Sequence, residues 1–299
     1  MKMKILANPI PWPNGHKCAV SLSWDVDVES GLVYRHREAT NKRLAARTLV
    51  RYDANVAVPR LMEVFKALNI QQTFFVPGWV IDRYPATVDL ILEHGHEVGL
   101  HGYMHERSNE LSPEKEAEVL ERALQAYVKR VGTRPKGWRA PAFAFSDKSL
   151  DLLIEAGFDY DSSLMGSDLP SLLRNASGDL VELPIEWTSD DWPQYMHNQD
   201  FNFSMPVRAS SRAMEVFRAE FDAAWNFGAM WISVWHPFLS GRLSRIQAVI
   251  KLIEDIQQRG DVWLTRLDHI SSHVRSLMAA GTWQPLVEQL PFHQLNDVD

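Results

Sequence analysis

Residues 95–106 read Gly-His-Glu-Val-Gly-Leu-His-Gly-Tyr-Met-His-Glu, a short apolar run that ends in two histidines four positions apart. Glu97–Leu100 predicts a β-strand, and Gly99 and Gly102 allow a tight bend. If one helical turn follows the strand, His101 and His105 share a face and both imidazoles reach one point. Because neutral imidazole is the commonest metal ligand, the stretch predicts a metal site. The alternative is a pair of surface histidines on a loop.

Strand-like apolar runs alternate with helical patterns on both sides of this stretch, beginning at residues 19–25 and recurring as late as residues 229–235. This alternation is typical of parallel α/β folds. We expect a distorted (β/α) barrel of seven or eight parallel strands, with an open doubly wound sheet as the alternative. No linker or repeat stands out, so residues 1–299 are predicted to form one domain. Residues 35–52 are predicted to be a long loop over the site, and residues 169–179 to cover the site or an interface.

The composition excludes several classes of protein. The net charge is −7 and no basic run occurs, which argues against nucleic acid and anionic membranes as main partners. Cys18 is the single cysteine, so no disulfide within the chain and no thiolate zinc cluster can form. The N-terminus, which begins at Met1, has no apolar segment of signal-peptide length, and no run reaches transmembrane length. We therefore expect a cytoplasmic protein.

Polar side chains that could bind a metal or move a proton follow three other predicted strands. Asp25 and Asp27 follow the first strand, Arg139 follows a strand near the middle of the chain, and His236 follows a late strand. Active sites of (β/α) barrels gather at the carboxyl ends of the strands. These residues are therefore expected to meet the two histidines in one site.

The residue types in this set predict metal-assisted amide hydrolysis. Two histidines and one carboxylate leave positions open for water and substrate, as in catalytic zinc sites. Asp25 and Asp27 point to the same side of a strand, so one can bind the metal while the other takes a proton. An arginine beside the free carboxylate would keep it ionised, and a histidine across the site would protonate the leaving nitrogen.

Four motifs in this order resemble those of the polysaccharide deacetylases, also called the NodB-homology or carbohydrate esterase 4 family. They are Trp24-Asp25-Val26-Asp27, His101-Gly102-Tyr103-Met104-His105, Arg139-Ala140-Pro141 and Trp235-His236-Pro237. The resemblance runs from about residue 11 to about residue 267. It implies a distorted (β/α) barrel and a divalent metal, often zinc.

The resemblance also implies a role for each residue. It implies three metal ligands, which are Asp27, His101 and His105. It implies that Asp25 is the catalytic base, that Arg139 orients this base and that His236 is the catalytic acid. The residue after the motif proline is usually aromatic and donates its backbone N–H to the oxyanion, whereas this chain has Ala142 there.

The first motif departs from the family pattern because Val26 separates two aspartates that normally adjoin. This pattern resembles a subgroup of peptidoglycan-deacetylase-like proteins, cyclic imide hydrolases and allantoinases that are often homo-oligomers. We therefore expect a homo-oligomeric, metal-dependent hydrolase that removes an N-acyl group from an amino sugar or small amide. The alternatives are a cyclic imide or allantoin-type ring hydrolase and a non-catalytic ligand-binding protein.

Further candidates for contact with the substrate are aromatic and acidic residues near the motifs: Trp24, Ala142, Glu186, Trp187, Asp190 and Trp192. Aromatic side chains give a pocket a rigid wall and acids give it orientation, although the late members could equally pack against the barrel edge. The sequence leaves three candidates for the acid that orients His236, namely Asp161, Asp190 and Asp191.

Overall fold

The structure is a computed structural model and describes residues 5–292. Two stretches lie outside the described range. One is Met1–Lys4, part of the N-terminal stretch on which the cytoplasmic prediction depends. The other is residues 293–299 of the predicted domain. Within residues 5–292, none of the helices combines the length and the apolar character that crossing a bilayer requires.

Within residues 5–292, ten strands form one sheet. They are β1 (Cys18–Asp25), β2 (Thr73–Val76), β3 (Glu97–Leu100), β4 (Gly137–Trp138), β5 (Tyr160–Asp161), β6 (Ser171–Asn175), β7 (Gly178–Glu182), β8 (Met230–Trp235), β9 (Val262–Leu264) and β10 (Leu286–Gln289). The α-helices are α1 (Ser30–His36), α2 (Leu44–Val50), α3 (Val58–Ala67), α4 (Gly78–Arg83), α5 (Pro85–Glu93), α6 (Pro113–Val131), α7 (Ser149–Ala156), α8 (Trp192–Tyr195), α9 (Ser210–Phe227), α10 (Pro237–Ser240), α11 (Leu243–Arg259) and α12 (Leu267–Ala279).

The sheet runs in the order β10-β6-β7-β5-β4-β3-β2-β1-β8, with β9 also paired to β1. Within this sheet all pairs are parallel except the hairpin of β6 and β7. Asp190, in the segment after β7, forms a parallel bridge with Val234 of β8 and so brings the two flanks of the sheet together. The predicted distorted (β/α) barrel is confirmed.

The strand count and two segments differ from the prediction. The sheet has ten strands rather than seven or eight because β6 and β10, on one flank of the sheet, were not predicted. Residues 169–179 consist mainly of β6 and the turn into β7. Leu172 and Leu173 of β6 are buried, while the exposed Arg174 pairs with Asp179 across the hairpin at 2.6 Å. Short runs of this kind are hard to recognise in sequence because they contain only two or three apolar residues.

The prediction of a long loop at residues 35–52 is wrong. The end of α1, a 3₁₀ segment at Arg37–Lys42 and all of α2 occupy this stretch. Ala46 and Val50, one turn apart, are the buried side chains of α2. Because only two side chains of this helix are buried and the residues before it are mostly polar, the helical period is hard to recognise in the sequence.

The strand register brings the carboxyl ends of five strands together. Asp25 pairs with Phe75, and Leu100 pairs with Trp138. On the other side of β1, Trp24 pairs with Trp235. The residues that follow these strand ends therefore emerge at one rim of the barrel. This is the arrangement that parallel strands require.

Candidate active site

Asp27, His101 and His105 lie together at this rim. Each offers one ligand atom, and these atoms all lie within 4.8 Å of one another. The Nε2 of His101 is 3.6 Å from Asp27 Oδ1, and the Nε2 of His105 is 3.5 Å from Asp27 Oδ2. The Nδ1 of His101 faces the carbonyl oxygen of Arg139 at 2.7 Å, which leaves Nε2 free to face the other two residues. The group thus presents two nitrogen donors and one oxygen donor.

The backbone brings the two histidines together through a bend, and the predicted helical turn is wrong. Gly102 has φ +67° and His105 has φ +65°, both in the left-handed region. The carboxylate of Glu106 accepts hydrogen bonds from the backbone N–H groups of Tyr103 at 3.1 Å and Met104 at 2.7 Å. A Cβ at position 102 would lie 2.9 Å from the Pro141 ring, so glycine is required there for space as well as for conformation.

The three residues fit a divalent metal. Asp27 Oδ1 is buried and has no hydrogen-bond partner among residues 5–292, although buried polar atoms almost always have one. The separations of 3.5 and 3.6 Å between imidazole and carboxylate are too long for hydrogen bonds. Burial lowers the pKa of His101 and lowers that of His105 to about 4, so both imidazoles are neutral near pH 7. Neutral imidazole is the form that binds a metal.

Asp25 lies beside this group and is held by a buried arginine. Arg139 Nη1 donates to Asp25 Oδ1 at 2.8 Å and to Ser23 Oγ at 2.8 Å, while its Nε donates to the carbonyl oxygen of Ser162 at 2.9 Å. Asp25 Oδ2 is 3.8 Å from His101 Nε2. Burial by itself would raise the pKa of Asp25, but the Arg139 guanidinium and the nearby imidazoles outweigh burial and lower this pKa. Asp25 is therefore an ionised proton acceptor.

His236 faces Asp27 from the end of β8, with its Nε2 3.9 Å from Asp27 Oδ2. Of the three acids left open by the sequence, Asp191 contacts His236, at 2.7 Å between Oδ1 and Nδ1. Asp190 Oδ1 is 3.9 Å away, and Asp161 accepts hydrogen bonds from Ser163 instead. Asp191 is thus the residue that orients the ring.

The surroundings of His236 favour its protonated form. Burial would lower the pKa of His236, but the hydrogen bond and charge of Asp191 raise it well above its usual value. Asp191 also accepts hydrogen bonds from the backbone N–H of His236 at 3.1 Å and from Ser240 Oγ at 2.5 Å. The ring is therefore a proton donor that Asp191 holds in one orientation beside Asp27.

Asp53 is a buried residue near the site that the sequence analysis missed. Its Oδ2 accepts a hydrogen bond from the backbone N–H of Val28 at 2.9 Å, and its Oδ1 accepts one from the backbone N–H of Phe238. Asp53 thereby joins the segment after Asp27 to the segment after His236. Burial and the charge of Asp27 raise its pKa well above the usual value. It stands in a polar stretch with no motif around it, so the sequence contains no signal for this role.

Three of the predicted substrate contacts lie at the rim. Trp187 is 49% exposed and packs edge-on against Phe143, with ring centroids 4.8 Å apart. Glu186, which precedes Trp187, is exposed. Ala142 has φ +51°, a left-handed conformation between Pro141 and Phe143. These residues are placed where a substrate could reach them.

The remaining three predicted contacts are more enclosed. Trp192 is half-buried and packs against the His236 ring at 5.2 Å between centroids. Asp190 is buried and accepts a hydrogen bond from the backbone N–H of Trp192 at 2.7 Å. The prediction that Trp24 contacts the substrate is corrected by the structure. The side chain of Trp24 points away from Asp25 into the core against Phe74, and it has no exposed surface with which to contact a substrate.

Known proteins resemble this chain along most of its length. The family model for polysaccharide deacetylases matches residues 42–160. A peptidoglycan deacetylase of Helicobacter pylori is 29% identical over 243 residues, which cover 72% of this chain and 82% of the relative. The crystal structure of a protein from Mycobacterium smegmatis, assigned as a polysaccharide deacetylase, is 36% identical with a TM-score of 0.89. That likeness covers 97% of this chain and 100% of the other.

A more distant structure shares the fold alone. The crystal structure of PuuE allantoinase has a TM-score of 0.80 at 22% identity and covers 93% of this chain and 96% of its own. The likeness to the Mycobacterium smegmatis protein is much stronger and extends over the full fold. The chain belongs to the polysaccharide deacetylase family, whose members are hydrolases acting on carbon–nitrogen bonds other than peptide bonds.

Proposed function

We propose that residues 1–299 form one catalytic domain that removes an N-acyl group from an amino sugar with the help of a divalent metal. The observation that carries this proposal is the placement of two proton-transfer groups around a three-donor cluster. Asp25, 3.8 Å from His101, is held ionised, and His236, 3.9 Å from Asp27, is held protonated. Amide hydrolysis requires one group that accepts a proton and one that donates a proton, held on either side of the scissile bond.

Each side chain has a defined task in this mechanism. Asp25 takes a proton from the attacking water as the C–O bond forms, and Arg139 keeps this carboxylate ionised and oriented. His236 gives a proton to the nitrogen as the C–N bond breaks, so the products are a carboxylic acid and an amine. Asp191 fixes the ring of His236 and stabilises its charge. The backbone N–H of Ala142 is the proposed donor to the developing oxyanion.

The proposed metal ligands are Asp27, His101 and His105. Two imidazoles and one carboxylate are a ligand set that zinc accepts with a position left open, so zinc is the proposed metal. When bound, zinc would supply Lewis acidity, which polarises a carbonyl and lowers the pKa of water.

The proposed substrate is an N-acetylated saccharide, which the relationship to the Helicobacter pylori peptidoglycan deacetylase supports. Glu186, Trp187, Asp190 and Trp192 are the proposed side-chain contacts. The cytoplasmic location and the homo-oligomeric state stay predictions.

A substrate panel with a base variant tests the proposal. Wild-type protein with stoichiometric zinc is assayed on N-acetylglucosamine oligomers, peptidoglycan fragments, cyclic imides and allantoin. We expect release of acetate from the saccharides. We also expect a loss of about 10³-fold in kcat for Asp25→Asn, because the base is removed while the metal ligands stay. The exposed Asp147→Asn is the matched control.

Two results would contradict this proposal. Turnover of cyclic imides or allantoin without acetate release would assign the site to ring hydrolysis. Full turnover by zinc-loaded Asp25→Asn would remove Asp25 from the role of base.

A further inference from the structure

A polar cavity lies between α1, α2 and α4, in the part of the chain that follows Asp27. It has a volume of about 470 Å³, and four arginines line it together with a single acid. The arginines are Arg37, Arg47, Arg51 and Arg83, and the acid is Glu29. We call this cavity the arginine pocket. None of its lining residues belongs to the candidate active site.

Glu29 cannot neutralise the arginine pocket. Its carboxylate is buried and accepts from Arg47 Nη2 at 2.7 Å, from Arg51 Nε at 3.3 Å and from the Tyr84 hydroxyl at 3.0 Å. One carboxylate balances one guanidinium, so three of the four positive charges stay uncompensated within the cavity. This local excess occurs in a chain whose net charge is −7, and it therefore does not follow from the overall composition.

The arginine pocket also contains unused hydrogen-bond donors. The Nε of Arg47 is buried and has no acceptor among the residues that the structure describes. Arg37 and Arg83 form neither an ion pair nor a side-chain hydrogen bond with any residue in the range 5–292. A buried N–H without an acceptor is costly, and arginine side chains pair readily with carboxylates and phosphates. The pocket therefore has one buried donor without an acceptor, on Arg47, and two solvent-exposed guanidinium groups that an anion can reach.

We propose that the arginine pocket binds a carboxylate or phosphate group. Guanidinium groups donate paired hydrogen bonds that match both of these anions. Trp79 and Tyr84 add an aromatic wall against which the uncharged part of a ligand can pack. The anion comes either from the solution or from the substrate itself.

The position of the arginine pocket allows the anion to be part of the substrate. Val33 and Arg37 line both the arginine pocket and a wider groove of about 820 Å³. This groove extends to Tyr103 and Met104, the residues that precede His105. A saccharide with a carboxylate substituent can therefore place its charge among the arginines and extend toward the metal ligands. This assignment of the ligand as substrate rests on the proposed function, whereas anion binding itself does not.

Calorimetric titration of the protein of residues 1–299 at low ionic strength tests the proposal, with inorganic phosphate and N-acetylmuramic acid as probes. N-acetylglucosamine, which lacks the carboxylate, is the neutral probe. Arg51→Gln and Arg83→Gln remove exposed guanidinium groups, and Arg212→Gln removes an exposed arginine on α9 as the matched control. We expect saturable binding of at least one anion to the wild type. Each pocket variant should bind about tenfold more weakly, because a charge-assisted hydrogen bond is lost.

The probes separate the two sources of the anion. The pocket is assigned to a substituent of the substrate if three results are obtained together. N-acetylmuramic acid binds tightly, phosphate displaces it, and N-acetylglucosamine binds weakly. Binding of phosphate alone assigns it to a free oxyanion. Equal binding to the pocket variants and to Arg212→Gln overturns the proposal. It is also overturned if the pocket variants change the sedimentation coefficient without changing anion affinity, because the arginines then serve an interface between copies. Titration needs no turnover, so a failure of the proposed function leaves this test intact.

Discussion

Two clusters of mostly buried polar side chains lie at opposite ends of the parallel strands. The lower cluster, at the amino ends of β2 and β3, consists of Thr73, Glu97, Tyr160, Arg266 and Asp268. Glu97 accepts hydrogen bonds from Thr73 Oγ1 at 2.6 Å, Tyr160 OH at 2.9 Å and the backbone N–H of Asp268 at 3.0 Å. Arg266 in turn donates to both carboxylate oxygens of Asp268 at 2.9 and 2.8 Å. Each carboxylate in this cluster has its own short-range partners.

The site cluster, at the carboxyl ends, consists of Asp25, Asp27, His101, His105 and His236. Its histidines lie 3.5 to 3.9 Å from the carboxylates, outside hydrogen-bonding range. Asp27 Oδ1 has no hydrogen-bond partner within residues 5–292. The ligand atoms of Asp27, His101 and His105 thus lie within 4.8 Å of one another without hydrogen bonds between them, whereas Asp25 is paired with Arg139 and His236 with Asp191.

This difference distinguishes a structural charge cluster from a ligand site. Buried charges are costly, and folding tolerates them when hydrogen bonds within the protein satisfy them, as around Glu97. A cluster that stays unsatisfied lowers stability, and it is retained where a ligand completes it. On this view the site cluster needs a metal for full stability and the lower cluster needs nothing further.

The largest expected effect is the loss of metal from His101→Ala. Removing one of three ligands should abolish stoichiometric metal in elemental analysis and reduce activity by on the order of 10³-fold. Chelation should lower the Tm of the wild type but not that of the variant, because the metal binds the folded state. The exposed His197→Ala should keep its metal. Equal metal content in both variants would mean that the site cluster is structural, like the lower one.

The next effect is on the pH dependence of kcat/KM in Asp191→Asn. His236 must be protonated to act as the acid, so activity falls as pH rises through its pKa. Asp191 raises that pKa, and its loss should move the basic limb to lower pH. The acidic limb, set by the lowered pKa of Asp25, should stay in place. We expect activity at pH 8 to fall about 10- to 100-fold. Asp190 lies 3.9 Å from the ring, so Asp190→Asn should move the basic limb less. If the basic limb does not move in Asp191→Asn, Asp191 is not the residue that orients His236.

A smaller effect on function, with a clear effect on stability, is expected for Glu97→Ala. Removing this carboxylate leaves Thr73, Tyr160 and the backbone of Asp268 without their acceptor, which should lower the free energy of unfolding by about 2 to 4 kcal/mol. The kcat/KM of the folded fraction should not change. Urea unfolding and assays below the transition measure both quantities, and Glu118→Ala on the exposed face of α6 is the control. A large loss of activity in folded Glu97→Ala would break the distinction between the two clusters.

The smallest effect is expected at the rim, from Trp187→Ala. The side chain is 49% exposed and packs on Phe143, so its loss should raise KM a few-fold with little change in kcat or Tm. Phe227→Ala, which removes an aromatic side chain that is 50% exposed on α9, is the matched control. An unchanged KM for the saccharide would remove Trp187 from the substrate contacts.

Much of the fold and of the site was predictable because both depend on local patterns. Glu97–Leu100 was predicted as a strand with the bounds that the structure has. The placement of Asp25, His101, Arg139 and His236 at strand ends predicted their proximity, since parallel strands place their carboxyl ends at one rim. Residues 35–52 were predicted wrongly because tertiary packing stabilises a helix whose own apolar stripe is narrow.

The sequence by itself determined the parallel barrel, the family and the residue types that surround the site, because strand periodicity and motif spacing are properties of neighbouring residues. Only the tertiary structure decided which carboxylate forms a hydrogen bond with which partner. Asp191, rather than Asp161 or Asp190, reaches His236, and Asp53 joins two segments that lie 210 positions apart in the chain at Val28 and Phe238. These choices depend on distances between atoms far apart in sequence, and such distances exist only once the core has packed.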